Sequence, residues 1–257
     1  MSQKKLGQHF LNSIYIARKI VNFAKLKNEI VVEIGAGKGM LTREIARQAR
    51  YIYAIEIDPL YVSALIRKNI PNVLVINANF LNFDLTSYRN AVIVGNIPYS
   101  ITTKIIEKLV RERDKFLRAV LTIQKEYGER LLAKPDSPKY SSISCYVNYY
   151  FNIIKGFNIP PKFFTPAPSV SSMLICLDNK ELPFLLEDEK EFFEFVKGVF
   201  RYRRKILKNS LLNYLGYLPD YLDKKILLKR PEQLELIEFF ELYKNLKADN
   251  ISFQKNN

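Results

Sequence analysis

Short apolar runs recur along the first half of the chain. They occupy residues 30–34, 51–57, 73–76, 91–94 and 119–123, and each is β-branched and apolar on both faces, as strands buried in a parallel sheet are. Helix-length stretches lie between them at 40–49, 59–69 and 101–111. Strand and helix in alternation predict a doubly wound α/β sheet. The segment 140–150, after the loop Lys134-Pro135-Asp136-Ser137-Pro138, reads as a further helix. Runs at 151–159 and 170–177 read as two more strands. The loop between them, Pro160-Pro161-Lys162-Phe163-Phe164-Thr165-Pro166-Ala167-Pro168, is stiff and extended, because proline fixes φ and restricts its predecessor. After residue 177 the pattern changes. Residues 178–190 are charged, and helical periodicity then dominates. A boundary near residue 180 is expected, with an α/β domain over 1–180 and a small helical domain over 181–257. The polar residues 248–257 are expected to fray. There are no internal repeats or low-complexity tracts.

Nearly half of the 257 residues are hydrophobic, so a sizeable core can form. No apolar run approaches the ~20 residues that cross a bilayer, and the N-terminus lacks the apolar stretch and cleavage site of a signal peptide. Cys145 and Cys176 are far apart, and with a single histidine in the chain they form no zinc pattern. They read as buried free thiols in a reducing compartment, so a cytoplasmic protein without a metal is expected. Nothing demands more than a monomer. The net charge of +14 changes the picture most, because it favours a polyanionic partner. A membrane surface would want an amphipathic helix with exposed aromatics, and no isolated one is present.

The chemistry gathers at strand ends. The first strand runs into Glu33-Ile34-Gly35-Ala36-Gly37-Lys38-Gly39, a turn through which backbone can approach a ligand. The second ends in Glu56-Ile57-Asp58, where an acid about 20 residues beyond the glycines suits a ribose diol. Gly-x-Gly-x-Gly is not the Gly-x-Gly-x-x-Gly of dinucleotide folds. Glu33 beside the turn suits a cationic sulfonium better than a pyrophosphate, while Lys38 argues mildly the other way. S-adenosylmethionine is favoured here, with a dinucleotide or a purely structural turn left open.

The fourth strand ends in Gly95-Asn96-Ile97-Pro98-Tyr99-Ser100. This fits the Asn/Asp-Pro-Pro-aromatic pattern of amino-group methyltransferases, with isoleucine at the first proline. The adenine N6 lone pair is delocalised into the ring, so the amine needs acceptors for its hydrogens and a fixed approach. The Asn96 carbonyl can accept one hydrogen, and the backbone carbonyl of Ile97 or Pro98 the other. Pro98 stiffens the turn, and Tyr99 offers a face for an unstacked base. No strong general base is required, so His9 reads as a positioning residue. The bland alternative is an ordinary strand-to-helix turn, in which Asn, Pro and Ser are common.

With these residues the sequence resembles the small-subunit rRNA adenine-N6,N6-dimethyltransferase family, which is related to the erythromycin-resistance rRNA methylases. The likeness continues through Lys5-Leu6-Gly7-Gln8-His9-Phe10-Leu11, Gln124-Lys125-Glu126 with Arg130-Leu131, the run from Phe164 to Ser172, and the run from Arg203 to Ser210. It implies a Rossmann-like S-adenosylmethionine-dependent methyltransferase sheet. It also implies cofactor contacts at Gln8, His9, Leu11, Gly35, Gly37, Glu56, Ile57, Asn79, Phe80 and Asn96. A catalytic group of Asn96, Pro98, Tyr99 and Phe164 follows, with the target adenine between Tyr99 and Phe164. The implied reaction is double methylation of two adjacent adenines near the small-subunit rRNA 3′ end, on the immature subunit. One departure is Asn79, where the family usually carries Asp. An amide oxygen can still accept from the cofactor's adenine amine, whereas a flipped amide would donate and lose that contact.

Residues 197–208 carry Lys197, Arg201, Arg203, Arg204, Lys205 and Lys208 with no acid among them. On one helix, Lys197, Arg201, Arg204 and Lys208 would share a face that tracks phosphates. Arg201, Arg203, Arg204, Lys205 and Lys208 are therefore candidate RNA contacts, and a merely solvated face is the alternative. Phe192, Phe193, Phe195, Phe200 and Tyr202 read as core. Competing functions are a resistance methylase of large-subunit rRNA, a DNA adenine methyltransferase, and a non-catalytic RNA-binding assembly factor on the same fold.

Overall fold

A computed structural model describes residues 8–248. Lys5, Leu6 and Gly7 of the N-terminal motif lie outside them, as does the polar tail after residue 248. In chain order the first elements are β1 (Phe10–Leu11), α1 (Ile14–Ala24), β2 (Ile30–Ile34), α2 (Met40–Ala46), β3 (Tyr51–Glu56), α3 (Pro59–Ile66) and β4 (Val73–Asn77). They are followed by β5 (Ala91–Asn96), α4 (Thr102–Arg111), β6 (Phe116–Gln124), α5 (Lys125–Leu132), α6 (Ser142–Tyr150), β7 (Phe151–Ile159), β8 (Phe164–Thr165) and β9 (Ser172–Asn179). The helices α7 (Glu189–Phe200), α8 (Leu207–Leu215), α9 (Lys224–Leu228) and α10 (Leu236–Ala248) complete the described chain.

Seven strands form one sheet in the order β4-β3-β2-β5-β6-β9-β7. The first five run parallel, and only β9 opposes its two neighbours. The order reverses beside β2, so the ends of β2 and β5 open the crevice where ligands bind in such sheets. The helices start where the sequence supplies caps. Ser13 accepts the Ile16 N–H ahead of α1, and Asp58 accepts the Leu60 N–H ahead of α3, with Pro59 at the first helical position. Ile16, Ile20, Val21 and Ala24 on α1 pack with Leu41 and Ile45 of α2 over Val31, Ile52, Ala54, Val92 and Val94 of the sheet. The alternate residues Val32, Ile34 and Ile93 are equally buried, so both faces of the central strands are covered. β4 departs from that expectation. As an edge strand it leaves Leu74 46% exposed.

The expected division at residue 180 needs correction. The described residues fall into two compact units, one of residues 8–128 with Tyr150–Lys180, the other of Glu129–Tyr149 with residues 181–248. Tyr140 and Cys145 pack with Phe192, Phe195, Phe200 and Phe239, which draws residues 129–149 into the helical unit.

Within that unit the basic stretch 197–208 is not one helix. α7 ends at Phe200, residues 201–205 form tight turns, and α8 restarts at Leu207. The reason is packing. Leu207 and Leu211 enter the core, and the Tyr214 ring lies against Gly198, where any Cβ would collide with it. α8 therefore folds back across α7 at its one glycine, and the chain must turn between them.

Candidate active site

Three strand ends and one inserted strand build the site in the first unit. At the end of β2, Gly35, Gly37 and Gly39 have φ of +69°, +50° and +76°, which favour glycine. Gly35 faces open space, with no atom within 4 Å of where a Cβ would stand. Gly37 packs against Phe10, whose ring would lie 2.9 Å from an added Cβ. At the end of β3, Glu56 is buried and held at both oxygens. The Gly37 N–H donates to Oε2 at 2.7 Å and the Asp58 N–H to Oε1 at 2.9 Å. These bonds to a charged acceptor lock the glycine turn to the acid.

Glu33 lies one residue before that turn's strand end. It is 1% exposed, and its Oε2 has no partner. Burial pushes its carboxyl from the ordinary 4.5 up to about 7, and the charge of Glu56 adds to the rise.

At the end of β5, the Asn96 Nδ2 donates to the His9 carbonyl at 2.8 Å. That bond fixes which end of the amide is which, and leaves Oδ1 as the acceptor. The Pro98 carbonyl already accepts from the Ile101 N–H at 3.1 Å and the Thr102 hydroxyl at 3.3 Å. Of the two backbone carbonyls considered from sequence, Ile97 is the one left to receive a ligand. The Tyr99 hydroxyl and Ser172 Oγ share a hydrogen bond at 2.9 Å, which steadies the ring.

β1 and β8 bring the chain's beginning onto this crevice. Phe10 pairs with Thr165 and Leu11 with Phe164, antiparallel. His9 Nδ1 donates to the Pro166 carbonyl at 2.7 Å, and its ring lies 5.6 Å from that of Tyr99. The proline-rich loop is therefore fastened to the N-terminal segment, and Phe164 is set at 3% exposure.

One pocket gathers Gln8, His9, Gly35, Glu56, Asn96, Pro98, Tyr99 and Phe164. It also contains Ile97, whose carbonyl was a candidate acceptor, and Phe10 and Ser172, to which the sequence assigned no individual role. Ser172 could have been suspected only from its place in the Phe164–Ser172 run, since β9 reaches the site by running against the sheet. Gly37 does not line the pocket, and its N–H is bonded to Glu56. Leu11 is buried in the core and does not line this pocket. Ile57, Asn79 and Phe80 stand at the neighbouring strand ends, where Ile57 is 47% exposed and Phe80 is buried. Asn79 caps the short turn after β4, its Oδ1 accepting the Leu81 N–H at 3.0 Å. The oxygen is thus committed, and the free end of the amide is the donor.

The candidate RNA contacts lie in the second unit and do not form the expected single stripe. Arg201, Arg204, Lys205 and Lys208 are exposed. Arg203 is turned inward, donating to the Pro138 carbonyl at 3.0 Å and the Tyr140 carbonyl at 3.5 Å. Lys197 lies 3.7 Å from Glu194. Phe192, Phe195 and Phe200 are buried in that unit's core, as expected.

The open glycine cradle, the buried acid at β3 and the Asn96 amide lining the same pocket fit S-adenosylmethionine. Together with the sheet order they define an S-adenosylmethionine-dependent methyltransferase. The sequence profile of the ribosomal RNA adenine dimethylase family matches residues 1–236, and the chain belongs to that family. It is 38% identical over 255 residues to the ribosomal RNA small subunit methyltransferase A of Chlorobium limicola, covering 97% of this chain and 95% of that protein. The crystal structure of a dimethyladenosine transferase from Plasmodium falciparum superposes with a TM-score of 0.81 at 27% identity, covering 96% of this chain and all of that one. The 23S rRNA methyltransferase ErmE superposes with a TM-score of 0.66 at 25% identity, covering 90% of this chain and 98% of that one.

Proposed function

We propose that the chain methylates N6 of two adjacent adenines near the 3′ end of small-subunit rRNA, twice each, on the immature subunit during ribosome biogenesis. The observation that carries this reading is the Asn96 amide, tied by Nδ2 to the His9 carbonyl so that Oδ1 is offered to an amine. The relatives named above support the substrate class. When bound, S-adenosylmethionine supplies an electrophilic methyl on a sulfonium.

The residues then act as follows. Asn96 Oδ1 accepts one N6 hydrogen and the Ile97 carbonyl the other, which directs the nitrogen lone pair out of the ring plane. The proton is lost once the methyl is attached, so no strong base is needed. Tyr99, braced by Ser172, and Phe164 wall the flipped adenine. His9 positions, with its Nδ1 committed to the Pro166 carbonyl. Gly35, Gly37, Glu56, Ile57, Asn79 and Phe80 hold the cofactor, with Glu56 toward the ribose. Orientation supplies most of the rate, and good placement is worth up to ~7–11 kcal/mol. Arg201, Arg204, Lys205 and Lys208 meet RNA phosphates, while Arg203 supports their turn.

The protein acts as a cytoplasmic monomer. No described helix is long and apolar enough to cross a membrane. The test is mass mapping of nucleosides after reaction with undermethylated small subunits, naked rRNA and DNA. N6,N6-dimethyladenosine at two adjacent positions of small-subunit rRNA is expected. Label confined to large-subunit rRNA or DNA would sink the assignment, and no incorporation anywhere would leave a binding factor.

A further inference from the structure

β1 borders a second cavity besides the adenine pocket, and Phe10 lines both. This second cavity has a volume of about 370 Å³, within the range of small-ligand sites. Its apolar wall is Phe10, Ile14 and Met40, and its cations are Lys38, Arg43 and Lys68. Ile14 is 50% exposed, an apolar surface open to solvent.

The charge balance is one-sided. Among the described residues, the single carboxylate on the wall, Glu44, is 4% exposed, and its Oε2 is taken by Arg18 at 3.0 Å and Arg47 at 3.1 Å. Among the described residues, no carboxylate pairs with Lys38, Arg43 or Lys68. Lys68 instead donates to the Lys38 carbonyl, and Lys38 lies over the Phe10 ring at 5.1 Å. Burial and the nearby Arg43 charge lower the Lys68 pKa. Three crowded cations without a counter-ion, beside an apolar wall, are complementary to a phosphate carrying a nucleoside.

We propose that this cavity holds a phosphodiester of the RNA strand that carries the target adenine, with the flanking nucleoside against Phe10, Ile14 and Met40. The inference rests on the RNA-methylating function proposed above and extends it to a specific backbone contact. A strand leaving the adenine pocket has only the short β1 to cross.

The test uses the full chain and a fluorescent hairpin RNA with two adjacent adenines in its loop. Binding is measured by anisotropy from low to high salt. The Arg43→Gln/Lys68→Gln variant is compared with Arg50→Gln/Arg67→Gln, which removes the same charge from exposed positions outside the cavity. The cavity variant should bind roughly three- to tenfold more weakly and have a salt slope smaller by about 0.7–0.9, the loss of one phosphate contact. The control variant should move little. Melting temperature and S-adenosylhomocysteine binding should be unchanged in both. Equal Kd and slope in the two variants would overturn the inference. So would competition by inorganic phosphate at the cavity with no change in RNA affinity, which would mark a small-anion site. If the wild type binds neither the hairpin nor small subunits, the proposed function falls and this inference with it.

Discussion

Replacing Asn96 by alanine removes two interactions at once, and the structure gives each a size. The Nδ2 bond to His9 is half-buried and 2.8 Å long, and its loss should destabilise the first unit by about 1 kcal/mol. The Oδ1 acceptor is lost as well. A preorganised polar contact at a reacting centre is worth about 3–4 kcal/mol, so the methyl-transfer rate should fall by roughly 10²–10³-fold. Asn96→Asp separates the two effects. It keeps an acceptor toward the amine but turns a second oxygen against the His9 carbonyl, so it should melt below the alanine variant while retaining more activity per folded molecule. The assay is single-turnover transfer of labelled methyl to undermethylated small subunits, with melting and S-adenosylhomocysteine calorimetry in parallel. An alanine variant within about threefold of the wild-type rate would refute the reasoning, because an oxygen that directs the amine cannot be dispensable.

Asn79→Asp keeps the cap on Leu81 and frees a second oxygen for the cofactor's adenine amine, so S-adenosylhomocysteine should bind roughly tenfold tighter by calorimetry. An unchanged Kd would mean that the committed amide is not limiting. For Glu33, burial lifts the carboxyl from 4.5 to about 7, so the folded state keeps a proton that the unfolded chain releases. Its penalty is absent below pH 4.5, grows as pH rises toward about 7 and then levels off, reaching on the order of 3 kcal/mol. Glu33→Gln should flatten that slope in ligand-free melts between pH 5 and about 8, and an unaltered slope would exclude Glu33 as its source. Burial pushes the Cys145 and Cys176 thiols up to about 12 and about 11. Neither should react with a disulfide reagent in the native protein at about pH 8, and both should react in guanidinium; a native burst of either thiol would contradict their burial.

The sequence by itself determined the alternation of strands and helices, the glycine turn, the acid at the end of β3 and the Asn96–Tyr99 turn. These are local properties. A period of 2 or 3.6 and a residue at a strand end are written in neighbouring positions. The tertiary structure alone decided what meets what. It set β4 at the sheet edge, drew residues 129–149 into the helical unit, and broke the basic stretch where Tyr214 packs on Gly198. It joined Phe10 to Thr165 across most of the chain, and so brought His9 and Phe164 to one pocket. It also oriented the Asn96 amide against His9 and committed the Pro98 and Asn79 oxygens. Such choices depend on partners far away in sequence and on which lone pairs are already taken, which no local pattern records.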